Sequence, residues 1–382
     1  MATQSFDPRK TFEDIKQNLE RAVLDLLSVE SGHRVLKVDS VILDNSKLST
    51  TAFADQQRVK EVGGSYDFPV HANLRLLDKK SGKQLSKGRV LIGRLPMITQ
   101  RLTYILGGRE YQASQQFRRM SGVYTRISDR GDIEAVATSS RMGQMKMRLD
   151  PKTYQIIIQP VRGSSSQVSL YDLLSVAGKS DAEIGRAWGK EFVKKSREAR
   201  SDQRRKTVVT NIAKKMITRN DVNVNMVTAK DAAIFIFKKL GDYTLDPRVT
   251  QDVLGRAHTV LDQDTLIDAG KAIVDISKGL AQPSSYNNIG HKQFMSPGDL
   301  LRDYLSRDTR EIQTKLINRM GPKSSDVKVV AGNVLTKRIG SFFRIGAEGL
   351  VAEADMTNPI ATLSGHTLTT VKGMGGIGVG PG

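Results

Sequence analysis

Apolar residues return every three or four positions near the start of the chain, at Phe12, Ile15, Leu19, Ala22, Val23 and Leu26. That spacing places them on one face of a helix, so the chain is expected to open with an amphipathic helix. The period then changes to two. Val70, Ala72, Leu74 and Leu76 alternate with other residues, as in a half-buried strand, and Lys79-Lys80-Ser81-Gly82 turns it back toward Val90-Leu91-Ile92. The stretch from Arg89 to Glu110 reads as two apolar strands joined by a tight Gly107-Gly108 turn, followed by a basic, amide-rich ending that includes Gln116, Arg118 and Arg119. Residues 126 to 146 are polar and punctuated by glycine, and Asp150-Pro151-Lys152 breaks to a strand at Tyr154 to Ile158.

From about residue 169 the pattern becomes helical. Ser180-Asp181-Ala182-Glu183 is a capping box, in which the serine hydroxyl accepts from the third helical residue and the glutamate reaches back. The longest apolar run, Ala232 to Phe237, reads as a buried strand or helix segment. Leu300, Leu301, Tyr304, Leu305, Ile312, Leu316 and Met320 keep helical spacing up to the Gly321-Pro322 stop. Val327 to Phe343 mixes apolar and basic residues, and six of the last ten residues are glycine.

Composition narrows the class. At 382 residues there is room for two or three domains, each with its own core. Lys and Arg number 59 against 40 Asp and Glu, a formal charge of +19, which argues for a polyanionic partner, most simply nucleic acid. No run approaches the ~18 apolar residues of a membrane span, and the first residues lack a signal-peptide core. Cysteine is absent, which excludes disulfides, thiolate zinc sites and cysteine nucleophiles and suits a reducing cytoplasm. Aromatic residues are only 5%, so extended base-stacking platforms are not expected.

Few motifs suggest chemistry. Gly373 to Gly378 satisfies G-x-G-x-x-G by letter, but a phosphate site needs a helix after it and only four residues follow. Gly178-Lys179-Ser180 mimics the end of a P-loop without its leading glycine, and Ser180 serves better as a helix cap. Asp262, Asp264 and Asp268 stand before and within a helical pattern running to Ile276, where acids suit the helix amino end better than a metal. The five histidines show no ligand spacing. Arg186 to Arg219 holds twelve Lys and Arg against three acids, a net of +9. Such runs are usually a solvated face; the one-signed excess here also suits phosphate. Lys194, Lys195, Arg197, Arg204, Arg205 and Lys206 are its expected nucleic-acid contacts.

Gly93, Leu95, Pro96, Thr99, Thr103, Ile105, Gly108, Glu110, Gln116, Arg119, Gly122 and Val123 follow one another in an order that resembles the second-largest (β) subunit of cellular multisubunit RNA polymerases. The pattern departs at Met120-Ser121, where that family has Ser-Pro. Three further stretches are similar to it in the same order: Asp150-Pro151-Lys152 with Leu173 to Ile184, Asn287 to Lys292 followed by Gly298, and Asp355-Met-Thr-Asn-Pro-Ile360 with His366 and Gly373-Met-Gly-Gly. The resemblance implies a multidomain α+β fold: residues 1–125 as the first pass of a protrusion, 126–325 as a lobe, and 326–382 as the return to the protrusion and the start of a fork loop.

It also implies a function. The chain would be a part of a DNA-directed RNA polymerase, a nucleotidyltransferase only as an assembly, forming one wall of the cleft that holds downstream DNA and the template–RNA hybrid. Gln116, Arg118, Arg119, His366 and Lys372 would approach nucleic acid near the active centre, with bonding between the two protrusion passes as the alternative. The family's lobe tryptophan is matched by Gln144, which puts base stacking there in doubt. The chain ends where the family continues, so it resembles the amino-terminal half of a split β subunit like those of giant bacteriophages. No cofactor is expected on the chain itself, and Mg2+ is expected on a partner subunit. The implied partners are a β carboxy-terminal half, β′-like subunits, DNA and RNA, with a sigma-like promoter factor as a further one and no membrane. The implied place is the cytoplasm of an infected bacterium, or the virion. The alternative from another class is a basic DNA-binding virion or packaging protein without polymerase partners.

Overall fold

The computed structural model describes residues 7–43, 53–139, 143–160, 166–217, 227–284, 288–343, 351–371 and 377. They fall into two compact units, one made of residues 1–119 with 293–382 and the other of residues 120–292 inserted between them. The fold is mixed α+β.

The first unit begins with α1 (Pro8–Leu27), which buries the predicted stripe from Phe12 to Leu26. Asp7 caps it and Pro8 occupies its first turn, where a missing N–H costs nothing. Then come β1 (Val29–Glu30), β2 (Arg34–Leu43), α2 (Phe53–Glu61), β3 (Asp67–Asp78) and β4 (Gln84–Pro96). Among the described residues β1 to β4 form an antiparallel sheet in chain order. In β3 burial alternates through Val70, Ala72, Leu74 and Leu76 as predicted. The Gly107-Gly108 turn joins β5 (Tyr104–Leu106) to β6 (Arg109–Ala113), with Leu106 opposite Arg109. The amide-rich ending becomes β7 (Gln115–Arg119).

The inserted unit opens with β8 (Gly122–Ile127), β9 (Ile133–Ser139), β10 (Gly143–Asp150), β11 (Gln155–Ile158) and β12 (Val168–Ser169), neighbours in one antiparallel sheet. The polar character of 126–146 hides β9, because its innermost residues are small: Ala135 and Ala137 are fully buried. The strand expected from Tyr154 starts one residue later, since Tyr154 itself has a left-handed backbone with φ 52°. Among the described residues seven α-helices follow: α3 (Leu170–Ala177), α4 (Asp181–Trp188), α5 (Lys190–Glu198), α6 (Asp202–Met216), α7 (Ala229–Leu240), α8 (Pro247–Leu254) and α9 (Gln263–Ser277). The ambiguous run Ala232 to Phe237 is helical, within α7. Both ends of the insert meet: the Met120 N–H donates to the His291 carbonyl at 2.9 Å.

The returning chain adds β13 (Lys292–Met295), α10 (Pro297–Arg307), α11 (Thr309–Arg319), α12 (Val327–Ala331), α13 (Thr336–Phe342), β14 (Val351–Glu353), α14 (Pro359–Thr367) and β15 (Thr369–Thr370). The helical spacing from Leu300 to Met320 covers two helices, separated at Asp308. Their buried Leu300, Leu301, Leu305, Ile312 and Leu316 share a core with α1 and the first sheet. The compact insert therefore ends at 292, whereas the expected lobe ran from 126 to 325. Gly298 shows why α10 belongs with α1: a Cβ there would come within 2.5 Å of the Asp14 carboxylate. The return also completes sheets begun earlier, β14 pairing antiparallel with β6 and β15 parallel with β7.

Candidate nucleic-acid interface

Helices α4, α5 and α6 bury Ile184, Trp188, Phe192, Val193, Val209, Ile212 and Ala213 in the core of the inserted unit. The basic run therefore has one apolar side and one charged side. The predicted capping box starts α4: the Glu183 N–H donates to Ser180 Oγ at 3.3 Å, and the Ser180 N–H donates to the Glu183 carboxylate at 2.8 Å. Lys190, Lys194, Lys195, Arg197, Arg204 and Lys206 are exposed. Lys195 pairs with Glu191 at 3.2 Å and Arg197 with Asp181 at 3.2 Å. Among the described residues, Lys190, Lys194, Arg204 and Lys206 enter no ion pair.

Arg205 departs from the expectation. It is only 3% exposed, points inward, and lies 3.3 Å from Asp172 and 2.5 Å from Asp202. Its guanidinium also donates to the Arg197 carbonyl and sits 5.1 Å from the centre of the Tyr171 ring. The reason is helical phase, since Arg205, Val209, Ile212 and Ala213 form the buried stripe of α6. Its partner Asp172, on α3, is fully buried and also accepts from Arg200 at 2.7 Å. Burial raises that carboxyl above its ordinary range, and the two arginines offset only part of the effect. Nothing in the local sequence marks Asp172 as the counter-charge of a helix thirty residues away.

The other predicted group lies in the first unit. In β7 burial alternates, so Gln116 and Arg118 face inward. Arg118 donates to Asp303 at 2.7 Å and to Gln116 at 2.9 Å, and Arg307 shares Asp303 at 2.6 Å. Arg118 is 4% exposed, with its guanidinium bonded inside the unit. Arg119 is half-buried and His366 is buried on α14. Lys372 and most of the Gly373–Gly378 motif lie outside the described residues.

The residues that carry the family resemblance serve the architecture. Glu110 is buried and accepts from Thr103 at 2.6 Å, Lys60 at 2.9 Å and Arg101. Burial pushes its carboxyl up, but these bonds and the Arg101 charge together hold it below its ordinary range. Thr103 also bonds Thr99 at 2.7 Å. At Gly108, φ is +79° and a Cβ would stand 2.9 Å from the Lys60 carbonyl, so only glycine fits. Asp355 and Asn358 hold turns: Asp355 accepts from the Thr357 N–H at 2.9 Å, and Asn358 caps α14 through the Ala361 N–H at 2.7 Å, with Pro359 next.

Residues weighed for other chemistry resolve in the same way. Asp262 caps α9 through the Thr265 N–H at 2.8 Å, and Asp264 pairs with Lys179 at 3.1 Å. Asp268 is buried against His258 at 2.9 Å and Arg256 at 2.6 Å, a cluster that the sequence pattern does not announce. Among the described residues no group of acids and histidines could hold a metal ion. Trp188 is core, its indole N–H donating to the Ile267 carbonyl at 2.9 Å. Gln144 is exposed on β10. No helix among the described residues is long and apolar enough to cross a membrane.

No protein-family model matches the chain. It is 24% identical over 339 residues to the DNA-directed RNA polymerase subunit beta of Synechocystis sp., a match covering 85% of this chain and 30% of that protein. The subunit beta of Gloeobacter violaceus is 23% identical over 357 residues, covering 89% of this chain and 31% of the relative. That of Synechococcus elongatus is 24% identical over 340 residues, 85% of this chain and 30% of its own length. The chain is a distant homologue of these proteins and spans about three tenths of their length.

Proposed function

We propose that the chain is the amino-terminal part of a β-like subunit of a DNA-directed RNA polymerase and forms one wall of its nucleic-acid cleft. The observation that carries this reading is the homology to subunit beta along 85% of the chain. The basic face of α4 to α6 gives it a physical role. Exposed lysines and arginines neutralise phosphates and release counterions, so they hold nucleic acid with little regard to sequence. Lys194, Lys195, Arg197, Arg204 and Lys206 are assigned to downstream DNA, while Gln116, Arg119, His366 and Lys372 belong nearer the hybrid. Arg118 and Arg205 act through structure.

Template-directed phosphoryl transfer needs clustered carboxylates that hold magnesium. In this reading the other parts of the enzyme supply them, together with the catalytic lysines, and this chain positions the nucleic acid. The remainder of β and a β′-like subunit are its partners, in the split form known from giant bacteriophages, with a sigma-like factor as a further one. Tagging the protein in its native source, purifying it at moderate salt and taking intact masses tests this. The expected result is co-purification with β- and β′-like chains. Recovery of the chain alone, or only with capsid and packaging proteins, contradicts the proposal.

A further inference from the structure

We propose that Tyr154 and the lysines of α5 form a subsite for single-stranded nucleic acid, in which the tyrosine ring stacks on a base while the lysines hold the neighbouring phosphates. The inference rests on the reading of the basic face as a nucleic-acid surface, and adds a place on that face where a single strand is favoured. Its first ground is backbone geometry. Tyr154 has φ 52°, the left-handed region in which a Cβ crowds the following carbonyl, and glycine or asparagine would hold this turn with less strain. A bulky residue in that conformation is an outlier of the kind that accumulates at functional sites.

The second ground is placement. Tyr154 is 45% exposed, although aromatic residues are scarce in this chain. Its backbone is tied to the basic helix, since Ser196 Oγ donates to the Tyr154 carbonyl at 3.2 Å. Lys195 Nζ lies 4.0 Å from the ring centre, and Lys190 and Lys194 are exposed on the same helix. Phe192 meets the ring edge-to-face at 6.4 Å, which steadies it and leaves much of its surface open.

The chemistry follows from these positions. Duplex DNA hides its base faces in its own stack, so an exposed ring gains nothing from it. A single strand offers those faces, and aromatic rings accept them with little sequence preference. As a strand arrives, its phosphates draw the Lys195 ammonium off the ring, and a base takes the vacated place. The lysines alone would hold either form of nucleic acid; the tyrosine discriminates.

Fluorescence anisotropy of the full chain with labelled oligothymidylate and with a duplex of equal length tests this. Tyr154→Asn is expected to weaken single-strand binding roughly 5- to 150-fold while changing duplex affinity by less than about twofold. Tyr154→Trp should retain single-strand binding. Because asparagine suits the left-handed backbone, Tyr154→Asn should melt no lower than the native protein. Replacing Lys190, Lys194 and Lys195 with glutamine should weaken both forms. Unchanged single-strand affinity in Tyr154→Asn, with salt-dependent binding intact, overturns the subsite and leaves the basic face standing. No salt-dependent binding by the native chain overturns both. Ultraviolet cross-linking of the native protein to a 5-bromouracil oligonucleotide is an independent check: a cross-link in the peptide holding Tyr154 supports the subsite, and its absence from that peptide contradicts it.

Discussion

Glu110 joins motif, structure and stability at a single residue. Its carboxylate is buried, and its charge is met by Thr103, Lys60 and Arg101. The folded pKa lies below the ordinary value, so the stability it contributes is fully present above about pH 5 and is lost as pH falls through the folded value. Glu110→Gln is expected to cost about 2 kcal/mol near neutral pH, because Lys60 and Arg101 stay partly solvated. Urea unfolding from about pH 6 to pH 3 checks this, and the variant should lose less stability on acidification than the native chain. The sequence marks Glu110 as part of a resemblance without showing its task, since Lys60 is fifty positions away. Arg205 is more legible than its place in a block of charge suggests. It falls in phase with Val209, Ile212 and Ala213 on α6, and treating the run as a helix turns it inward.

Elements with strong periodicity are readable in advance: α1, the β3–β4 hairpin, the Gly107-Gly108 turn and the Ser180 cap. Each depends on residues close in the chain, where spacing and local bonding decide the outcome. The cap predicts its own test. Ser180→Ala removes the acceptor of the Glu183 N–H and should lower the stability of the inserted unit by about 1 kcal/mol, seen as a lower melting midpoint. Elements that depend on distant partners are obscure. In β9, alanines stand where an isolated strand would need larger residues, and α9 covers them. The Leu300 to Met320 spacing runs through the break at Asp308 because both helices turn their apolar stripes to α1. Tyr154 looks like the first residue of a strand, since sequence shows residue type and not the sign of φ.

For the whole molecule, the limit on what the sequence reveals is topology. The alternation around the basic residues of β7 places Gln116 and Arg118 on one face, but Asp303 reaches Arg118 from the returning chain, 185 residues later. The same long return moves the edge of the insert from 325 to 292. The net charge, in contrast, is visible at once, and the structure distributes it unevenly between exposed and buried positions. If the face of α5 and α6 binds duplex DNA, replacing Lys194, Arg204 and Lys206 with alanine should reduce the slope of log affinity against log salt. The reduction should be roughly 0.9 for each phosphate that is no longer neutralised, about 2 to 3 in all. Titrations at several salt concentrations check this, and an unchanged slope makes the face a solvated one.

The proposed role of this chain is that of a part of a polymerase. Its most direct test is RNA synthesis: the complex purified through the tagged chain is supplied with a DNA template, ribonucleotides and magnesium, beside the chain purified alone. Template-dependent RNA is expected from the complex, none after magnesium is chelated, and none from the chain by itself. Synthesis by the isolated chain, or a purified complex that makes no RNA on any template, contradicts it.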